Sequence, residues 1–226
     1  MIKAVVFDMF ETLTSLFEGR TYFSEHMAAD LNLSPDEFRE AWHETETGRT
    51  CGEYTIEEGI SMALKSLGSY CEENVRLLAD KRDEMIRDSF DSVPKESMML
   101  LKQLKDAGIK IGLISNCYSD EREYIKNSPF YPYFDVALLS YEQGVSKPDP
   151  EIFHRMTERL GFNPPECLYV GDGGSNELFA ASEFGMKAVQ TLVFHEMAYE
   201  PHVPCYSLPE FPHVYKQEEI LKYLSD

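Results

Sequence analysis

Lys3-Ala4-Val5-Val6-Phe7-Asp8-Met9-Phe10-Glu11-Thr12-Leu13 is the stretch on which the fold turns. Lys3 to Phe7 is an unbroken β-favouring run, so it predicts a strand buried on both faces of a parallel sheet, ended by an acid at Asp8. A long helical stretch follows it. Ser34-Pro35-Asp36-Glu37 reads as a capping box with proline at the first helical position, opening a helix through Trp42. Thr55-Ile56-Glu57-Glu58 is a second capping box, whose helix carries Leu64 and Leu67 and stops at Gly68. A third helix is expected over 72–90, with Val75, Leu78, Met85 and Ile86 at three- and four-residue spacings.

After Val93-Pro94 the rhythm becomes an alternation of helix and strand. Helices are predicted over 95–107 and 121–126, from Asp149-Pro150 to Gly161, and over 177–184. Strands are predicted between them over 109–114, 135–139, 168–170 and 187–193. Such alternation implies an α/β fold, a parallel sheet with helices on both faces. The helical block between about Thr14 and Ser92 is then an insertion after the first strand. His195 to Pro212, rich in proline and aromatic residues, fits no element, and 218–224 reads as a terminal helix.

With 226 residues, 43% hydrophobic and 27% charged, the chain can bury one core, or a core with a smaller partner domain. Its formal net charge of -19 disfavours a nucleic-acid backbone or an anionic membrane as partner. Five scattered cysteines, never spaced Cys-x-x-Cys, argue against a disulfide framework or a structural zinc site. No signal sequence and no run of 18 uncharged apolar residues is recognisable, so a cytoplasmic location is expected.

In open α/β sheets ligands gather beyond the carboxyl ends of the strands. Four segments there carry chemistry: Asp8 to Leu13, Ser115-Asn116, Ser146-Lys147-Pro148-Asp149-Pro150, and Gly171-Asp172-Gly173-Gly174-Ser175-Asn176-Glu177. Each alone is an ordinary turn or helix start. A Gly-x-Gly-x-x-Gly after the first strand is missing, which demotes the dinucleotide-binding reading.

Together, in order and spacing, the four resemble the motifs of the haloacid dehalogenase superfamily over almost the whole chain. Asp8 opens the first, Ser115 the second, Lys147 the third, and Asp172 with Glu177 the fourth. The resemblance implies a Rossmann-like core of residues 1–15 and 91–226, capped by an inserted α-helical domain of residues 16–90. It further implies Asp8 as nucleophile, forming an aspartyl-phosphate from a small phosphorylated metabolite. Mg²⁺ would be held by Asp8, the carbonyl of Phe10 and Asp172, with Glu177 reaching it through water. Lys147 would offset the crowded negative charge, while Ser115 and Asn116 donate to the phosphoryl group and Thr12 braces the loop.

One departure matters. Phosphatases of this family usually carry an acid/base aspartate two residues after the nucleophile, where this chain has Phe10. Loss of such a group costs on the order of 10²–10⁴ in rate. An aromatic there is also a feature of the family's metal-free 2-haloacid dehalogenases, which hold substrate with an arginine from the insert; Arg39 is the corresponding candidate. Those enzymes replace the first acid of the fourth motif, however, and Asp172 and Glu177 are both present. Two extra carboxylates beside Asp8 make electrostatic sense with a divalent cation among them. A third reading is a regulatory protein that keeps the phosphate site and turns over poorly.

Overall fold

The computed structural model describes residues 1–198, 202 and 206–225. The first strand, β1 (Ala4–Phe7), lies in the middle of a six-stranded sheet and has every residue buried. It pairs in parallel on one side with β2 (Lys110–Ser115), which pairs with β3 (Val136–Leu139). On the other side it pairs with β4 (Cys167–Gly171), followed outward by β5 (Lys187–Thr191) and the short β6 (His213–Val214). All the pairings are parallel, so Asp8, Ser115 and Gly171-Asp172 emerge at the same edge. That edge is where the strand order reverses about β1, the usual place for a ligand crevice.

The two-residue alternation of β1 explains the layers. Val5 and Phe7 pack into one buried cluster with Ile111, Leu113, Leu168 and Val170. Ala4 and Val6 pack into another, on the opposite face, with Ile114, Cys167 and Tyr169. Helices α9 (Pro150–Leu160) and α10 (Glu177–Glu183) cover that second face through Phe153, Met156 and Leu178.

The insertion between β1 and β2 is helical: α1 (Ser24–Asp30), α2 (Pro35–Glu44), α3 (Glu46–Thr50), α4 (Ile56–Ser66) and α5 (Glu72–Asp91). Its buried Met27, Phe38, Ile60, Leu78 and Met85 belong to the same cluster as Phe7 and Leu113, so insert and sheet share apolar packing. Thr55 and Glu58 form the reciprocal capping box of α4, whereas Ser34 caps α2 one way only, accepting from the Glu37 amide. After α6 (Lys95–Asp106) and β2 comes α7 (Ser119–Asn127), against which the long α5 rests. A one-turn helix, α8 (Ser140–Gln143), follows β3.

The expected terminal helix is present at the carboxyl end. Residues Gln217–Leu224 form it as a 3-10 helix, and the side chain of Gln217 explains its docking. The Gln217 amide donates to the Thr12 carbonyl at 2.7 Å and to the Ser97 hydroxyl at 3.1 Å, tying the terminus to the loop after Asp8. Residues 199–201 and 203–205 of the unassigned 195–212 segment, with Cys205, lie outside the described residues. Among the described residues the remaining four cysteines are free thiols, and no helix is long and apolar enough to cross a membrane.

Candidate active site

Asp8 is the first residue past β1, and its amide still donates to the Val170 carbonyl at 2.9 Å, so the strand's hydrogen bonding fixes where its carboxylate starts. The chain then turns sharply, with the Leu13 and Thr14 amides both returning to the Met9 carbonyl. Glu11 takes a left-handed φ of 56°, where a non-glycine residue costs about 1–3 kcal/mol. Its carboxylate accepts from the Ser15 hydroxyl at 2.7 Å and from the Leu16 amide at 2.8 Å, which holds the strained turn. A second strained turn lies opposite: Gly173, Ser175 and Asn176 all have positive φ directly after Asp172. The Gln190 amide donates to the Asp172 carbonyl at 2.8 Å and anchors that loop to β5. Backbone strain at both ends of the same cleft, held by specific hydrogen bonds, is a mark of a working site.

Between the two turns stands Lys147. Its Nζ lies 2.5 Å from Asp8 Oδ1 and 2.5 Å from Glu177 Oε2. Glu177 is fully buried and also accepts from the Tyr169 hydroxyl at 2.7 Å. Gly171 makes this possible, because a Cβ there would stand 2.0 Å from Glu177 Oε1. Burial raises the Asp8 carboxyl, with the Lys147 charge opposing it and Asp172 adding to it. Burial likewise pushes Glu177 up, to about 8, reinforced by Asp8. Lys147 would be lowered by burial, but the charges of Asp8 and Glu177 outweigh that and keep the ammonium protonated. Burial moves Glu11 in the same direction as Glu177, to about 7.

Asp8, Asp172 and Glu177 each offer a carboxylate oxygen, and these atoms lie within 4.8 Å of one another. Three carboxylates with one ammonium among them leave an excess of negative charge in a buried place, and hard oxygen donors are what Mg²⁺ prefers. The residues present therefore fit a divalent cation.

The structure distributes the other expected site residues unevenly. Asn116 reaches the cleft, yet its side chain is engaged with the backbone of Lys147, donating to its carbonyl at 2.9 Å and accepting from its amide at 2.8 Å. It positions the lysine. Ser115 is fully buried, its hydroxyl 3.5 Å from the Asn116 carbonyl. Thr12 is fully buried too; its carbonyl takes the Gln217 bond, and its hydroxyl has no partner among the described residues. Phe10 half-buries its ring edge-on against Phe90, centroids 6.1 Å apart. Arg39 does not join the site: it is solvent-exposed on α2, paired with Asp36 at 3.1 Å. Phe38 and Ala41 take the buried face of that helix and turn Arg39 outward.

Of the insert residues that face the centre, the sequence offers the aromatic Phe23 and Trp42 as pocket-lining candidates but gives no sign of Glu46, Thr50 or Arg82. A cleft of about 470 Å³ runs from Phe10 and Asn116 to Trp42, Glu46, Thr50 and Arg82 of the insert. A neighbouring opening places Glu46, Thr47 and Thr50 of α3 opposite Lys147 and Ser175. Five residues of α3 are too few to show periodicity, so no sequence signal marks it. Arg82 crosses from α5 to the core, 2.7 Å from Asp120 Oδ2 and bonded to Glu121, which makes it a buried tie between the two layers.

Residues 2–185 match the haloacid dehalogenase-like hydrolase family. The chain belongs to that family. It is 27% identical over 205 residues to the glyceraldehyde 3-phosphate phosphatase of Methanopyrus kandleri, covering 84% of each chain. A higher identity, 36% over 103 residues, relates it to the rhythmically expressed gene 2 protein of Drosophila melanogaster, but spans 44% of this chain and 38% of that one. In architecture it is similar to the HAD family enzyme bt-2542 of Bacteroides thetaiotaomicron, solved with magnesium and inorganic phosphate. That likeness has a TM-score of 0.65 at 22% identity and covers 84% of this chain and 94% of the other. The family hydrolase thus has Asp8, Lys147, Asp172 and Glu177 gathered at one sheet edge, with a helical insertion after the first strand.

Proposed function

We propose that this hydrolase is a Mg²⁺-dependent phosphatase of small phosphorylated metabolites, acting through an aspartyl-phosphate on Asp8. The observation that carries the reading is the convergence of Asp8, Asp172 and Glu177 around the ammonium of Lys147. Asp172, the acid that the metal-free dehalogenases replace, has no use in a displacement at carbon, where its charge beside Asp8 would only repel an anionic substrate.

Asp8 and Asp172, with the Phe10 carbonyl, would hold the cation, and Glu177 stands beside them. When bound, Mg²⁺ supplies the positive charge that lets an anionic nucleophile approach an anionic phosphoryl group. Lys147 adds a fixed ammonium next to the attacking carboxylate. Asp8 forms a bond to phosphorus as the ester P–O bond breaks, and water then attacks the same phosphorus to release phosphate. Phe10 cannot exchange a proton, so the departing alkoxide takes one from water. That step makes turnover slow for alkyl esters and faster for esters with acidic leaving groups.

The test is initial hydrolysis rates over a panel of alkyl and aryl phosphate monoesters, with Mg²⁺ and with chelator, for wild type and Asp8→Asn. Rates that vanish in chelator and in the variant support the proposal. Hydrolysis that persists in chelator or in Asp8→Asn refutes it.

A further inference from the structure

Three of the most buried cations of the chain contrast sharply. Lys147 is held by two carboxylates, and so is Arg82. Arg49, on α3, is 1% exposed and forms no ion pair among the described residues. Its Nε donates to the Thr45 hydroxyl at 2.9 Å and its Nη2 to the Trp42 carbonyl at 2.8 Å, both uncharged acceptors. Its Nη1 is buried with no acceptor among the described residues, and its charge is favoured only by the neighbouring Tyr118 hydroxyl and the Glu46 carboxylate. The guanidinium is stacked between two rings, 3.4 Å from the Trp42 centroid and 4.3 Å from that of Tyr118. Glu46, one turn back, is half exposed and engaged with His43 at 2.6 Å.

An arginine keeps its charge in any protein environment, and a buried charge without counter-ion is strongly disfavoured. Burial does act against the charged form of Arg49. The fold nonetheless makes room for it: a Cβ at Gly59, inside α4, would stand 2.4 Å from Arg49 Cδ. Such an arrangement leaves one donor, Nη1, for an acceptor from outside the chain. The rings that sandwich the guanidinium, Trp42 and Tyr118, also line the cleft that reaches Phe10 and Asn116, and Tyr118 lies two residues after Asn116 on the second motif.

We propose that Arg49 is a specificity-determining residue that selects phosphate esters whose leaving group carries a second anion, a carboxylate or another phosphate. The second anion enters the cleft beside Trp42 and Tyr118 and takes up the unpartnered Nη1. This rests on the phosphatase reading above and names its substrate class. Nη1 has no exposed surface here, so the anion reaches it by displacing the stacked rings. Trp42 is the only tryptophan of the chain, which makes it a reporter that needs no turnover.

The experiment titrates the Asp8→Asn protein with Mg²⁺ present, reading Trp42 fluorescence. The probes are ethyl phosphate, phosphoglycolate and ethylene bisphosphate. Phosphoglycolate or ethylene bisphosphate, according to which anion is the true one, is expected to change the emission and bind about 10- to 100-fold more tightly than ethyl phosphate. Adding Arg49→Met is expected to remove that advantage, and Arg49→Lys, which keeps the charge without the planar fork, to reduce it. Equal affinity for all three esters overturns the proposal, whether or not the Arg49→Met protein folds. So does an advantage that survives Arg49→Met. Failure of the wild type to hydrolyse any ester would instead overturn the phosphatase reading, while the titration still reports on Arg49.

Discussion

Replacing Lys147 by methionine tests the electrostatic account of the centre. The side chain is 4% exposed and its ammonium touches two buried carboxylates, Asp8 and Glu177. Methionine keeps most of the volume, so the change is chiefly of charge. Removing one partner from a buried ion pair costs about 3–5 kcal/mol, because the remaining charge is left uncompensated. For a chain of this size a loss of 1 kcal/mol lowers Tm by roughly 2–4 °C, so the metal-free Lys147→Met protein is expected to melt about 6–20 °C below wild type. Mg²⁺ supplies a substitute positive charge, and its addition should recover a larger part of Tm in the variant than wild type gains. The kcat should fall by about 10²–10³, as when a preorganised charge is removed from a transition state. Thermal melts with Mg²⁺ and with chelator, together with initial rates, read all three effects. A Tm within about 2 °C of wild type in chelator would refute the reasoning.

Four further outcomes follow from the same geometry. Gly171→Ala places a methyl 2.0 Å from Glu177 Oε1, so Glu177 must move; Mg²⁺ affinity measured by calorimetry should fall about 10- to 100-fold, and unchanged affinity would remove Glu177 from the metal site. Burial holds a proton on the Asp8 and Glu177 set that the cation must displace. Mg²⁺ binding should therefore release protons and tighten as pH rises toward about 8, which titration calorimetry in buffers of different ionisation enthalpy detects. Phe10→Asp restores a proton-transfer group where the ring meets Phe90 and should raise alkyl-ester turnover by about 10²–10⁴, with a smaller gain for aryl esters. Asp135 binds Lys105, Lys110 and the Ile111 amide, which overcome burial and hold its carboxyl at about 2; its stabilisation is present above pH 3.8 and lost as pH falls toward 2. Denaturant unfolding of Asp135→Asn should accordingly differ from wild type at neutral pH and converge with it in acid.

The sheet was legible because its signals are local. An apolar run from Lys3 to Phe7 ending in Asp8, then strands spaced by helices with glycine stops, admits few arrangements other than a parallel sheet. Parallel strands bring Asp8 and Asp172 to one edge, while the approach of Lys147 and Glu177 to them was legible only through the resemblance of the four motifs to a known family. What lay outside sequence reasoning depends on contacts between distant segments. Arg39 faces solvent because Phe38 and Ala41 take the buried face of its own helix, whereas the burial of Arg49 depends on the Tyr118 ring, from beyond the insert, closing over it opposite Trp42. The burial of Arg82 is set by Asp120 and Glu121 from another layer. Thr12 is braced through its carbonyl by Gln217, more than two hundred residues away, a bond that no motif spacing encodes.

The central claim is that Asp8 carries the phosphoryl group. The most direct test mixes the wild-type protein with Mg²⁺ and a saturating aryl phosphate, quenches in acid within the first turnover, and maps the peptides by mass spectrometry. One phosphoryl group on the peptide containing Asp8, absent from Asp8→Asn, is the predicted result. Hydrolysis that proceeds with no phosphorylated Asp8 peptide, or with the label elsewhere, would contradict the account.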